Sequence, residues 1–166
     1  ARDEETGLLT FIEVERQGVN GVSGMTQARG VTTSPDGQHV YVSSLNGDSI
    51  VTFQRNSTSG ELTFVQSVTD GVGGISGLDQ VPNLDVTQDG HHVIAAGFAD
   101  DAISVYSRNA ETGVLTFQAI YRNGVDGVQG LDGAIAIRVS PDDRRVLVAG
   151  YFENAVAEFA RDTESG

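Results

Sequence analysis

The chain has 166 residues, a length that allows one compact domain or a short array of small units and excludes a multidomain enzyme. It contains no cysteine, which excludes disulfide frameworks, thiolate metal sites and cysteine nucleophiles. With 10 basic and 23 acidic residues, its net charge of -13 makes nucleic acid a poor partner.

The first strands along the chain are short and separated by turns. Strand A lies near Arg29 to Ser34, strand B covers 39–45, strand C covers 48–55 and strand D covers 61–69. Between A and B, the run Ser34-Pro35-Asp36-Gly37 predicts a tight turn, because proline presets one backbone angle and Asp or Gly tolerates the left-handed region. These elements predict a four-stranded antiparallel meander.

This pattern returns at a fixed spacing of 53 residues, because LLTF at Leu8 is echoed by ELTF at Glu61 and VLTF at Val114. The repeats are therefore 8–60, 61–113 and 114–166. Residues 1–7 match the end of each repeat and are interpreted as the tail of a preceding one. The whole chain, 1–166, is predicted to be a single segment of one repeat architecture.

Four strands in a unit of this size are typical of a β-propeller blade, which must be covered on both faces by its neighbours. Strand C carries apolar side chains on both faces, as this requires. They are Ile50, Ile103 and Val156 on one face and Phe53, Tyr106 and Phe159 on the other. The predicted fold class is therefore all-β, a β-propeller of four-stranded antiparallel blades with three repeats per chain. A β-sandwich with a duplicated hairpin is the alternative.

The turn motifs carry a resemblance to a known superfamily. The run GVTTSPDGQHVYVSS at 30–44, echoed by IRVSPDDRRVLVAG at 137–150, resembles strand A, turn and strand B of the YVTN-type propellers. That superfamily includes the 6-phosphogluconolactonase-like and carboxymuconate-cyclase-like proteins. The middle copy departs from the motif and reads VTQDG at 86–90. The resemblance implies blade architecture, and it implies lactone hydrolysis or cyclisation as an activity.

Three blades cannot close a ring alone, and the strand order begins with an isolated strand D and ends without one. The favoured interpretation is a dimer that closes as a six-bladed ring, in which residues 8–16 of each chain complete the partner's last blade. The other is that the three blades belong to a longer array.

The D-A connections and B-C loops share one end of the propeller and carry many acidic residues. Their carboxylates are oxygen ligands of the kind that Ca²⁺ prefers, so a calcium site is a candidate here. The candidate ligands are Asp48, Asp79, Asp100, Asp101, Asp126 and Asp132. No copy has the spacing of an EF-hand loop, and acidic residues in glycine-rich turns are also ordinary turn formers.

The central channel is the second candidate site. Thr32, Asp85 and Arg138 occupy equivalent positions of strand A and are predicted to point at the axis. An aspartate and an arginine facing each other suit a polar ligand or a lactone carbonyl, and a mutual salt bridge is the structural alternative. His39 and His92 follow the A-B turns and are interpreted as exposed turn residues.

Two functions follow from these observations. The first is a non-catalytic, self-assembling propeller module that binds a ligand or cation on its acidic loop face. The second is a lactone hydrolase or cyclase, as the resemblance implies, with Asp85 and Arg138 as its catalytic candidates. No run of apolar residues is long enough to cross a membrane, and an acidic chain without cysteine slightly favours a secreted or cell-surface location.

Overall fold

The computed structural model describes residues 2–163 and contains three antiparallel sheets built in chain order. The first two sheets have four strands each, and the third has three. The strands are β1 (Ala28–Thr33), β2 (His39–Ser44), β3 (Ser49–Arg55), β4 (Leu62–Thr69), β5 (Asn83–Val86), β6 (His92–Gly97), β7 (Ala102–Arg108), β8 (Leu115–Arg122), β9 (Ala134–Val139), β10 (Arg145–Gly150) and β11 (Ala155–Ala160). The all-β, four-stranded architecture is confirmed, and the described residues include no helix that could cross a membrane.

The A-B turns form as the sequence predicts. In the first sheet the Gly37 N–H donates to the Ser34 carbonyl at 2.8 Å, and Gly37 has a φ of 70°. The Asp36 carboxylate accepts hydrogen bonds from the Ser34 hydroxyl and the Gln38 N–H. In the third sheet Asp143 takes the glycine position with a φ of 65°. Local turn chemistry therefore fixes where each first hairpin reverses.

The sheets pack face to face in series, with β1 beside β5 and β5 beside β9. Ile50 of the first sheet and Tyr106 of the second share one core, while Ile103 and Phe159 belong to the core between the second and third sheets. The prediction that both faces of a blade are apolar is therefore confirmed. Val156 is 70% exposed, because no further sheet of the described chain covers the third one.

The N-terminal segment forms only the start of its predicted strand. Arg2 bridges Leu9, as Arg55 pairs with Leu62 in the first sheet, but residues 10–16 are not in a strand. Phe11 is 80% exposed. A strand forms only beside another strand, and within the described chain no strand pairs with residues 10–16. Whether a second chain supplies that partner, closing a ring of six blades, stays a prediction.

Candidate functional site

The structure brings two of the three predicted channel residues together. Arg138 Nη1 lies 3.7 Å from Asp85 Oδ2, and the Arg138 side chain is 70% exposed whereas that of Asp85 is 14% exposed. Thr32 lies at the equivalent position of β1 and is half-buried. Within residues 2–163, the Thr32 side chain makes no hydrogen bond to the side chain of Asp85 or of Arg138. The innermost strands therefore present an Asp85–Arg138 ion pair in which the arginine side chain is largely exposed to solvent.

Asp85 also has a structural role that the sequence did not reveal. Its Oδ1 accepts a hydrogen bond from the Val86 N–H, and its Oδ2 accepts one from the Val139 N–H of the next sheet, both at 3.0 Å. Asn83 Oδ1 likewise accepts from the Ile137 N–H at 3.1 Å. Side chains of β5 thus satisfy the backbone edge of β9 and join the two sheets near the axis.

The candidate calcium ligands do not converge on one point. Asp48 Oδ1 accepts a hydrogen bond from the Gln80 N–H, and Asp101 Oδ1 accepts one from the Gly133 N–H, so each carboxylate joins its sheet to the next. Asp126 lies in a D-A connection with a φ of 51°. Across the described residues, no three acidic or histidine side chains are placed to hold a metal ion. The calcium site gains no geometric support and stays a prediction.

The other acidic residues of this end are also engaged with the protein. Asp100 accepts hydrogen bonds from the Asp79 N–H and from Arg122, at 3.0 and 2.9 Å. Burial, followed by the neighbouring Asp48 and Asp100 carboxylates, raises the pKa of Asp79. Burial and the charges of Asp101 and Glu153 raise the pKa of Asp132 in the same way. The carboxylates of this end therefore lie close enough to repel one another.

The histidines after the A-B turns are not exposed turn residues, and that interpretation is wrong for both. His39 is fully buried, and its Nδ1 lies 2.9 Å from Nη2 of Arg108, which belongs to the next sheet. The same guanidinium donates to Asp36 Oδ2 at 2.7 Å, to the Tyr41 hydroxyl at 2.9 Å and to the Gly90 carbonyl at 2.9 Å. One arginine thus fastens the second sheet to the turn of the first.

The contact repeats between the second and third sheets. Arg161 Nη2 lies 2.7 Å from Asp89 Oδ2 and 3.1 Å from His92 Nδ1. Its Nη1 lies 3.0 Å from Asp143 Oδ2. In the third sheet the histidine position is taken by Arg145, which pairs with Glu158 at 3.0 Å. A sequence signal for this contact exists, because an arginine ends strand C in every repeat.

The buried His39 and the half-buried His92 predict a loss of stability in mild acid. Burial and then the Arg108 charge lower the pKa of His39 from its ordinary 6.5, and burial and the Arg161 charge do so for His92. The unfolded chain therefore binds protons below pH 6.5 that the folded chain excludes. Stability is expected to be full above that pH and to fall below it, by at most about 1.4 kcal/mol per pH unit for each histidine.

Urea denaturation across a pH series would measure this slope. Replacing both His39 and His92 with glutamine is expected to flatten it more than replacing His91, the exposed neighbouring histidine that serves as the matched control. An unaltered slope in the double variant would contradict the assignment.

Burial raises the pKa of Asp36, but bonds from Ser34, Gln38 and Arg108 outweigh it and hold the pKa at about 2, so a separate loss of stability begins as the pH falls below 3.8.

A sequence model of the family described as "Lactonase, 7-bladed beta-propeller" matches residues 1–125 of the chain. Among curated proteins, none matches. A candidate 6-phosphogluconolactonase from Bacteroides uniformis is structurally similar, with a TM-score of 0.71 and 20% identity over 88% of this chain and 39% of that one. The periplasmic gluconolactonase of Pseudomonas aeruginosa gives 0.67 and 24% over 84% of this chain and 37% of that one.

The hydrazine synthase of Kuenenia stuttgartiensis is also similar, with a TM-score of 0.59 and 20% identity over 89% of this chain and 36% of that one. At these identities the likeness establishes the fold, a β-propeller, and not an activity. The β-sandwich alternative is therefore wrong. The chain spans less than two-fifths of the length of these three proteins.

Proposed function

The chain belongs to the family of seven-bladed lactonase β-propellers, and on that premise we propose that it forms part of an enzyme that hydrolyses sugar lactones. The family match over residues 1–125 carries this proposal, and it favours the lactonase interpretation over a non-catalytic scaffold. The names of the two gluconolactonase-type structures support a sugar lactone as the substrate class. A seven-bladed family also favours the interpretation in which these blades belong to a longer array.

The axial pair is the proposed place of reaction. Arg138 keeps most of its guanidinium exposed, so its N–H groups can donate to the carbonyl oxygen of a lactone and stabilise the negative charge that develops there. Water then attacks the carbonyl carbon, the bond to the ring oxygen breaks, and that oxygen takes up the proton that the water loses, to give the hydroxy acid. Arg138 lies beyond the residues matched by the family, so its role rests on this geometry.

Asp85 has a different role in the proposal. Both of its oxygens already accept backbone hydrogen bonds, from Val86 and Val139. It is therefore assigned as a positioning residue that orients Arg138 by charge across 3.7 Å, and not as the group that accepts a proton. The Thr32 hydroxyl, on the neighbouring innermost strand, supplies a further polar group for a substrate hydroxyl.

Arg138→Gln is expected to lower kcat/KM for glucono-1,5-lactone by about tenfold or more, because one donor to the developing oxyanion is removed. The rate is measured by titrating the released acid, with spontaneous hydrolysis subtracted. Arg144→Gln is the matched control, since Arg144 is an exposed arginine of the A-B turn that follows the same strand. Full activity in Arg138→Gln would remove Arg138 from the mechanism. No turnover when these blades are part of the closed ring would favour the binding scaffold.

A further inference from the structure

Apart from His39 Nε2, three buried polar atoms between the first and second sheets have no hydrogen-bond partner among the described residues. They are Thr52 Oγ1, Gln66 Nε2 and the Tyr106 hydroxyl. Thr52 and Tyr106 are fully buried, and the Gln66 side chain reaches into the same layer from β4. A buried donor or acceptor that stays unpaired is costly, so native structures rarely leave one without a partner.

The register places these side chains on facing surfaces. Thr52 and Gln66 are directly paired across β3 and β4, two residues from the pair Ile50 and Val68. Since side chains alternate along a strand, Thr52 and Gln66 share the face of Ile50 and Val68, which pack in the same core as Tyr106. All three polar atoms therefore lie in the layer between the two sheets.

The equivalent layer between the second and third sheets is apolar at every one of these positions. Shifted by one repeat, Thr52 becomes Val105, Gln66 becomes Ala119 and Tyr106 becomes Phe159. Val105 and Ala119 are again a directly paired couple, and together with Phe159 they line one cavity. Thr52, Gln66 and Tyr106 thus occupy, in the first layer, the positions that three neighbouring apolar residues occupy in the second. All three positions differ together between the two layers.

We propose that a single buried water molecule joins Thr52, Gln66 and Tyr106 between the first two sheets. The hydrogen-bonding groups match one water, because the Gln66 amide and the Tyr106 hydroxyl can both donate to its oxygen while it donates to Thr52 Oγ1. Three such bonds are the usual number for a buried water. The Ser104 hydroxyl, on the same face as Tyr106, donates to the Gly77 carbonyl at 3.4 Å. Burial raises the pKa of the Tyr106 hydroxyl and an interaction with the Ser104 hydroxyl lowers it by less, so a direct Ser104–Tyr106 bond is the competing arrangement.

The water site also favours one packing order of the three sheets over the others. If the third sheet packed on the first, Phe159 would face Thr52 and Gln66 and would leave their polar atoms without the Tyr106 hydroxyl. If the second sheet packed on another copy of itself, Tyr106 would face Val105 and Ala119. The polar set therefore favours the native order of near-identical repeats.

A crystal structure of the chain at high resolution is the direct test. A water within roughly 3 Å of all three atoms is the expected result. Side chains that instead bond directly to one another, with no water between them, would overturn the proposal. This measurement does not depend on any variant folding.

Thermal unfolding of variants gives a second, independent test. Tyr106→Phe alone is expected to lower the melting temperature by about 2–6 °C, because it removes one of the three bonds of the water. The triple variant Thr52→Val, Gln66→Ala and Tyr106→Phe copies the second layer, and it should recover most of that loss. A triple variant whose loss equals the sum of the three single losses, or a Tyr106→Phe variant that is stabilised, would count against a shared water.

Discussion

Replacing Arg108 with alanine is expected to lower the free energy of unfolding by about 3–5 kcal/mol, one of the two largest losses predicted for the chain. The Arg108 side chain is 1% exposed and reaches from the second sheet into the A-B turn of the first. Its removal leaves His39 Nδ1 and the Gly90 carbonyl without their donor in a buried layer. Each buried polar group left unpaired contributes roughly 1–3 kcal/mol to the loss.

Chemical denaturation at pH 7 would measure this loss, and Arg145→Ala is its matched control. Arg145 also pairs with a carboxylate, Glu158, but both side chains are about half exposed, at 49% and 57%. Solvent-exposed pairs of this kind contribute only about 0–1 kcal/mol. Equal losses of unfolding free energy in the two variants would show that the buried Arg108 contact contributes no more to stability than an exposed ion pair.

Gly113→Ala is expected to lower the free energy of unfolding by about 2–4 kcal/mol. Gly113 ends the C-D turn of the second sheet with a φ of 74°, a region that disfavours any side chain. A Cβ built there would clash with Cδ2 of the buried His39. The Gly113 carbonyl also accepts a hydrogen bond from the Tyr41 hydroxyl at 3.1 Å, so a shift of this backbone disturbs the same layer.

The chain offers a control that separates the two causes. Gly7 occupies the same turn position in the N-terminal segment, with a φ of 73°, and a Cβ there would meet no atom within 4 Å. Gly7→Ala therefore tests the backbone conformation alone, with an expected loss of about 1 kcal/mol or less. If both variants lose the same amount, contact with His39 is not the reason for the larger effect.

Much of the fold was predictable because its signals are local. The A-B turn around Asp36 and the C-D turn that ends at Gly113 depend on a few consecutive residues, whose side chains bond to their own backbone. The sequence also indicated that both faces of each sheet would be covered, because Ile103 and Tyr106 alternate along one strand. Val156 occupies the same strand position as Ile103 but is exposed, because no neighbouring sheet of the described chain covers that face of the third sheet.

The candidate site was predicted only in part. Asp85 and Arg138 were identified as neighbours because equivalent positions of adjacent repeats meet near the axis. The bond from the Val139 N–H to Asp85 was not foreseen, since a strand pattern does not show which backbone groups lack a partner in their own sheet. For the same reason, the sequence did not show that Asp48 and Asp101, two of the candidate calcium ligands, accept backbone bonds from the next sheet, and the calcium site itself stays a prediction.

The amino-acid sequence by itself determined the repeat, its strands and its turns, because these depend on contacts within about ten residues of each position. Only the tertiary structure decided that His39 is buried and that Arg108 binds Asp36. Those residues are distant in the chain, and they meet because one sheet stacks on the next. Whether a histidine after a turn faces water or a guanidinium depends on that stacking, which the residues next to it in the sequence do not determine.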